Sequence, residues 1–401
     1  MRELHPPLTG VREPTPVLVL GVGITVLGTI RCLGRREIPL YVGTDPGTLV
    51  RRSRYFRALP VEGPWESGDA GLADRLAALP FERMVLLPTS DRWTFAVSRL
   101  PAALARRFPS TVATTEVLEK LIIKSRLACV LEKLQIPHPR TIAVPNLDAG
   151  RALPAGAFEN AFLKPTQSGP FAAVYGAKAL RFRGREDALA RIDEASSRGF
   201  ELMLQEFIPG PADRHYFVEG FIDRGGRVCG LLARRRIRIY PPDFGNSSAT
   251  ETIALSDVPD AVASLRRLLD GVGYRGTFSA EFKLDERDGL FKLLEVNVRP
   301  WWFAGFAARC GLDVCEMAYR DALGQDVQPV TRYAVGRRCV APRLDLESGL
   351  AEWRAGRLGL AALFRSWIGA DLLTLSRDDP WPGISGMFSW SKSRLRRKLG
   401  L

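Results

Sequence analysis

Histidine is nearly absent from this chain of 401 residues: only His5, His138 and His215 occur, and none stands at a spacing that suits a metal or a catalytic triad. Cysteine is scarce too. Cys32, Cys129, Cys229, Cys310, Cys315 and Cys339 are scattered without a C-x-x-C pair, which argues against a disulfide framework or a structural zinc site and leaves buried or idle thiols. No window approaches the roughly 18 uninterrupted apolar residues of a membrane span. The opening residues carry no apolar signal core, so the expected location is cytoplasmic. Also missing is any G-x-x-x-x-G-K-[ST] stretch, which sets aside a P-loop ATPase. A metal, where one is used, is therefore expected on carboxylate oxygens.

What is present describes a soluble globular protein, with 46% apolar and 25% charged residues and enough length for two or three packed subdomains. The formal net charge of +13 comes mostly from arginine. It would attract nucleotides, acidic small molecules, anionic lipid or nucleic acid, and charge alone does not choose among them. Nucleic acid has nothing else in its favour, since no recognisable module is present. The basic tail Arg394–Lys398 reads as a solvated surface, with weak contact to an anionic membrane as its other reading.

Val17–Gly21 is an apolar run ending in glycine, and Val26–Leu33 has helical spacing after it. Further strands are expected at Ile38–Val42 and Arg83–Leu87, alternating with helices, which implies a parallel sheet. A domain boundary falls near Val112, followed by one helix over Glu116–Leu134 that ends before the prolines at 137 and 139. Residues 161–182 read as strand, loop, strand. A helix over Glu186–Arg198, a strand over Leu202–Phe207 and strands at Tyr216–Asp223 and Val228–Ala233 complete an α+β middle.

The strongest local signal is a hairpin, Thr277–Asp285 returning as Leu290–Pro300. Side chains two apart share a strand face, so Glu281, Lys283 and Asp285 point one way, and Glu295, Asn297 and Arg299 share a face of the return strand. Leu294, Val296 and Val298 are expected to fill the core behind. A five-residue loop would set Glu281 opposite Glu295; a tighter turn would need a bulge to restore that register. Facing carboxylates repel unless something positive lies between them, and Mg²⁺ is a hard ion that suits such oxygens.

The segments AEFKLD and LLEVNVRPWW resemble the closing strands of the ATP-grasp superfamily. By that likeness Glu281, Glu295 and Asn297 are metal ligands, while Arg299 steadies the transferring phosphoryl group, with Arg236 as further fixed positive charge. The resemblance makes Lys164 in Phe-Leu-Lys-Pro the lysine at the α/β-phosphates and Lys124 an earlier lysine at the mouth of the cleft. It makes Gln205-Glu206-Phe207-Ile208 the adenine hinge and Asp213 the acceptor of the ribose hydroxyls. Within the superfamily the chain is similar to the carboxylate-amine ligase group, on Arg236–Gly245, Arg299-Pro-Trp and Asp379-Pro-Trp-Pro.

The resemblance implies an α/β plus α+β fold: a Rossmann-like unit over 1–112, an ATP-grasp domain over 113–330, and a C-terminal helical extension with a basic tail over 331–401. It implies ATP, one or two Mg²⁺ (Mn²⁺ substituting), small-molecule carboxylate and amine substrates, an acyl-phosphate intermediate, no nucleic acid, and room for a homodimer. Two other readings stay open. Gly21-x-Gly23 with Asp45 beyond the second strand would suit a nicotinamide-dependent oxidoreductase, although Val26 stands where the third glycine belongs. A non-catalytic nucleotide-binding protein at an anionic membrane surface is the other.

Overall fold

A computed structural model describes residues 14–387 apart from 45–46, 62–64, 66–70, 167 and 243. His5, Asp45 and the tail Arg394–Lys398 lie outside the described residues. β1 (Val17–Leu20), β2 (Leu40–Val42) and β3 (Val85–Pro88) pair in parallel in the order β2-β1-β3. All four residues of β1 and of β3 are buried, as strands covered on both faces must be, and helix Gly23–Gly34 is the first cover.

A small antiparallel sheet follows, β4 (Thr141–Val144), β5 (Ala161–Pro165) and β6 (Leu202–Glu206), in the order β4-β6-β5. Two expectations change here. The single helix expected over Glu116–Leu134 is two, Thr115–Ile122 and Lys124–Lys133, broken at Ile123, whose backbone is extended (φ −77°, ψ 110°). The expected strand-loop-strand of 161–182 is β5, then helix Ser168–Tyr175, then a lone bridge from Leu163 to Leu180. The aromatic stack of Phe171, Tyr175 and Phe200 secures that helix against the lobe.

The largest sheet contains β7 (His215–Ile222), β8 (Val228–Tyr240), β9 (Asn246–Ile253), β10 (Gly276–Asp285), β11 (Leu290–Asn297), β12 (Arg338–Val340) and β13 (Asp371–Leu372), in the order β11-β10-β7-β8-β9-β12-β13. β8 runs to Tyr240 rather than ending at Ala233, so Arg234, Arg236 and Arg238 lie on a paired strand. The segment after 330 is not only helical, because it adds β12 and β13 to this sheet. Helix Pro259–Val272 covers the sheet, starting with proline and stopping at Gly273 in the left-handed region (φ 69°).

The parallel unit and the large sheet share one apolar core, in which Val26, Leu27 and Ile30 join Phe221, Trp301, Phe306 and Tyr319. Helices Gly23–Gly34 and Ala304–Arg309 cross at Gly28 and Gly305, where a Cβ on Gly305 would sit 3.3 Å from the Gly28 Cα. Five of the six cysteines are buried and all are free. Cys32, Asp313 and Cys315 come together, but Asp313 caps helix Val314–Ala322 and pairs with Arg36, and both thiols are packed in the core, so the trio reads as packing. No helix among the described residues is long and apolar enough to cross a membrane.

The C-terminal segment is locked onto the first unit by a buried ion pair. Arg31 donates from Nε to Asp379 Oδ2 (2.8 Å) and from Nη2 to the Asp379 carbonyl (2.6 Å). Ser53 Oγ and the Arg54 amide complete the carboxylate's bonds. Removing one member of such a pair strands a charge in the interior. Asp379→Ala is expected to lower stability by about 3–5 kcal/mol in chemical denaturation; a loss below about 1 kcal/mol would show that the pair is not structural.

Candidate functional site

The hairpin reaches the expected register by the less direct route. Its loop has four residues, since Asp285 pairs with Leu290, and a bulge between Glu281 and Phe282 then sets Glu281 opposite Glu295. The bulge absorbs Leu294, so the core behind the hairpin is made by Leu293, Val296 and Val298 instead of Leu294.

Glu281 is held on two sides. His215 Nδ1 donates to its Oε1 at 2.8 Å and Arg236 Nη2 donates to the same oxygen at 2.9 Å. Burial raises the Glu281 pKa, but Arg236 and then His215 outweigh it, and the carboxyl ends well below the usual range. His215 is itself pulled down to about 4, by burial and then by Arg236, so it is neutral at pH 7 and carries its proton on Nδ1. Both bonds fall on Oε1, which leaves Oε2 for another partner. Arg236 is almost wholly buried and fixed by Ser247 Oγ at 2.9 Å.

On the return strand Asn297 Nδ2 approaches Glu295 Oε1 at 3.4 Å, and Asn297 Oδ1 accepts from Arg299 Nη2 at 3.0 Å. Arg299 is not a free cation: its Nε donates to Asp91 Oδ1 at 2.7 Å. Asp91 opens helix Asp91–Ser98, whose N-cap Ser90 accepts from the Trp93 amide. The sequence reading passed over Asp91, yet it stands just past the carboxyl end of β3, where open parallel sheets place functional side chains.

Two lysines meet this group, Lys164 from the small lobe and Lys124 from the start of helix Lys124–Lys133, whose Leu127 and Leu131 join the core of the large sheet. Lys164 is on β5, and Lys124 Nζ donates to the Pro165 carbonyl at 3.4 Å. Burial, then the charge of Lys164, lowers Lys124 to about 8, while Glu295 and Asp91 act in the opposite direction. Lys164 also acts on Glu281, and Glu295 acts on Arg236. Lys124, Lys164, Arg236, Glu281 and Glu295 thus form one electrostatic neighbourhood built from five separate elements.

The hinge candidates follow β6. Gln205 is buried, with Nε2 donating to Thr141 Oγ1 at 3.0 Å. Glu206 Oε1 accepts from Arg287 Nη2 at 2.6 Å, and its Oε2 accepts from the Arg140 amide at 3.1 Å. Phe207 packs edge-on to Phe162 and Phe244, with the Arg181 guanidinium 4.6 Å from its ring centre. Ile208 is buried. Lys283 Nζ donates to the Gly210 carbonyl at 3.1 Å and lies 5.3 Å from the Phe207 ring, joining hinge to hairpin. Asp213 Oδ1 is buried and has no partner among the described residues, which suits an acceptor of a ligand's hydroxyl. Arg181 and Phe244 were not foreseen, and no spacing rule would have found them.

The donor set fits a magnesium nucleotide: opposed carboxylates and an amide oxygen on the hairpin, Lys164 on the small lobe with Lys124 beside it, and an orphaned carboxylate oxygen beside the hinge. No family model matches the chain. The D-aspartate ligase of Enterococcus faecium (strain Aus0004) is 24% identical over 256 residues, 60% of this chain and 59% of that protein. The chain thus spans less than two thirds of that relative's length. Among solved structures, the biotin carboxylase domain dimer of Hydrogenobacter thermophilus 2-oxoglutarate carboxylase, in complex with MgADP, ADP and bicarbonate, superposes with a TM-score of 0.61 at 16% identity, covering 82% of this chain and 74% of that one. An L-amino acid ligase from Bacillus licheniformis gives a TM-score of 0.59 at 13% identity over 80% of each chain. The parallel unit, the three-stranded lobe and the large, mostly antiparallel sheet are therefore the ATP-grasp fold, and over 256 residues the chain is similar in sequence to D-aspartate ligase.

Proposed function

We propose that the chain is an ATP-dependent carboxylate-amine ligase, joining a small-molecule carboxylate to an amine with release of ADP and phosphate. The observation that carries this reading is the single neighbourhood of Lys124, Lys164, Arg236, Glu281 and Glu295, in which two lobes bring cations and opposed carboxylates to one place. D-aspartate ligase and L-amino acid ligase, by their names, join amino acids, which supports an amino-acid or similar carboxylate here.

The carboxylate takes the γ-phosphoryl group of ATP to give an acyl phosphate, and the amine then displaces phosphate from the carbonyl. Glu281, Glu295 and Asn297 would hold Mg²⁺, which supplies charge neutralisation for the phosphates when bound. Lys164 and Lys124 hold phosphate oxygens, and Asp213 accepts from the ribose. Arg236 keeps Glu281 ionised and fixed, while Asp91 and Asn297 aim the Arg299 guanidinium at the transferring group. Because phosphoryl transfer depends on alignment and fixed charge, no covalent nucleophile is required. In this assignment residues 1–112 serve the substrate side and 113–330 the nucleotide. A homodimer is part of the proposal, in keeping with the dimeric biotin carboxylase domain.

A hydroxylamine trap with ATP, Mg²⁺ and a panel of carboxylates is expected to give a hydroxamate from at least one acid; ADP release without hydroxamate for any acid would overturn the ligase reading. Glu295→Ala should reduce ADP formation by at least about a hundredfold with the fold intact, and near-normal turnover would remove Glu295 from the site. Lys164→Ala should weaken nucleotide binding roughly tenfold or more, read by calorimetry; unchanged affinity would exclude it.

Lys124 adds a pH signature. Its pKa in the folded chain is lowered to about 8, so its charge is present below that value and lost as the pH rises through it. Nucleotide affinity is expected to be roughly tenfold weaker at pH 9.5 than at pH 7, with the inflection moved upward in the complex because phosphate favours the charged form. Lys124→Arg should flatten the profile, and an unchanged inflection in that variant would assign it to another group.

A further inference from the structure

Helix Leu360–Trp367 has two faces of opposite character. Its inner face is fully engaged: Leu363 is buried, Ser366 Oγ accepts from Arg238 Nη2 at 2.9 Å, and Trp367 Nε1 donates to Asp345 Oδ2 at 2.7 Å. Asp345 is buried and also accepts from Arg238 Nη2 (2.6 Å) and Ser248 Oγ (2.8 Å). The helix is therefore riveted to β8 and β9, and its outward orientation is fixed rather than incidental.

The outer face is apolar. Leu360, Phe364 and Ile368 follow at i, i+4 and i+8 with 37%, 53% and 73% of their surface exposed, and Trp353, at the end of helix Pro342–Arg354, is 50% exposed. Burying a large apolar side chain stabilises a fold, so four left outward within sixteen positions call for a covering partner. The charge of the same stretch is one-sided. From Trp353 to Ala370 there are three arginines, Arg354, Arg357 and Arg365, all exposed, and no acidic residue. Arg357 is paired with Glu352, while no salt bridge to Arg354 or Arg365 is found among the described residues.

That charge decides between occupants. A second copy meeting this face with the same face would bring no acidic residue of the stretch to Arg354 or Arg365. A surface of phosphate-bearing lipid supplies both needs at once, with headgroups for the guanidinium groups and an acyl boundary for Trp353, Phe364 and Ile368. We infer that the outer face of helix Leu360–Trp367, with Trp353 and the flanking arginines, docks the protein on an anionic lipid bilayer. The helix lies along the surface rather than crossing it, since eight residues reach only about 12 Å.

Co-sedimentation of the full chain with vesicles tests this. Vesicles of equal parts phosphatidylcholine and phosphatidylglycerol are expected to carry the protein down at low salt and release it at high salt, with phosphatidylcholine alone retaining about tenfold less. Phe364→Asp with Ile368→Asp, placed on exposed positions and checked for an unchanged melting temperature, should lower binding at least about tenfold. Arg354→Glu with Arg365→Glu should remove the preference for phosphatidylglycerol. A third variant with Arg394, Arg396 and Arg397 replaced by Glu separates the tail from the helix. Loss of binding in that variant alone, with the helix variants unaffected, would overturn the inference. So would absence of binding to either vesicle, or a fall in molecular mass by light scattering in the Phe364→Asp, Ile368→Asp protein, which would identify a second copy as the occupant.

Discussion

Glu281 and Glu295 face each other across β10 and β11, and that arrangement governs much of what surrounds it. Two carboxylates in this position repel, and burial makes Glu281 costlier to keep ionised. The chain answers the first cost for Glu281 with Arg236 and His215, both nearly buried and both bound to one oxygen. Glu295 has no comparable ion pair among the described residues; its neighbours are Asn297 and the charge of Lys124 across the cleft. The asymmetry matters chemically. One acid is held by two donors on a single oxygen and the other by one long contact from Asn297, an asymmetry that the proposed metal role would use.

The same economy shapes the arginines around β8. Arg234, Arg236 and Arg238 alternate along the strand, and each has its own carboxylate: Glu219 at 2.7 Å, Glu281 at 2.9 Å and Asp345 at 2.6 Å. Arg234 is further stacked between Phe217 and Phe303, with ring centres 3.7 and 4.6 Å from its guanidinium carbon. A run that looks like a solvated basic face is thus three buried ion pairs pointing to three different parts of the fold. Such pairs add little net stability but specify geometry strongly, because each is tolerable only when its partner is in place. Together with Arg31–Asp379 and Arg299–Asp91, they tie the first unit, the central sheet and the C-terminal segment into one arrangement.

How much of this was legible in the sequence follows from the range of each interaction. The opening β-α-β unit, β6 and the hairpin were readable because alternation and apolar runs are local signals. The pairing of Glu281 with Glu295 was readable only conditionally, since a four-residue loop and a bulge at Leu294 reach the same register as the five-residue loop that was expected. The break at Ile123 was not readable because Leu-Ile-Ile-Lys holds no proline or glycine to mark it. β9 and β12 were missed for a related reason: Asn246–Ile253 is rich in Ser and Thr, and its burial comes from neighbours far along the chain. Asp91, Arg181 and Phe244 acquire their site contacts through the fold alone.

The rival nicotinamide reading rested on Gly21 and Gly23, and the structure explains these glycines by packing. A Cβ on Gly21 would meet Thr89 Oγ1 at 1.9 Å, so that glycine admits the start of the next β-α connection. Gly23 begins its helix in the left-handed region at φ 72°. Val26, where a dinucleotide fingerprint needs its third glycine, is fully buried in the shared core, and Gly28 serves the crossing with Gly305. Gly21 and Gly28 are accounted for by packing and Gly23 by its backbone angle, without a pyrophosphate. The unit that resembles a dinucleotide fold instead reaches the hairpin through Asp91, whose carboxylate accepts from Arg299.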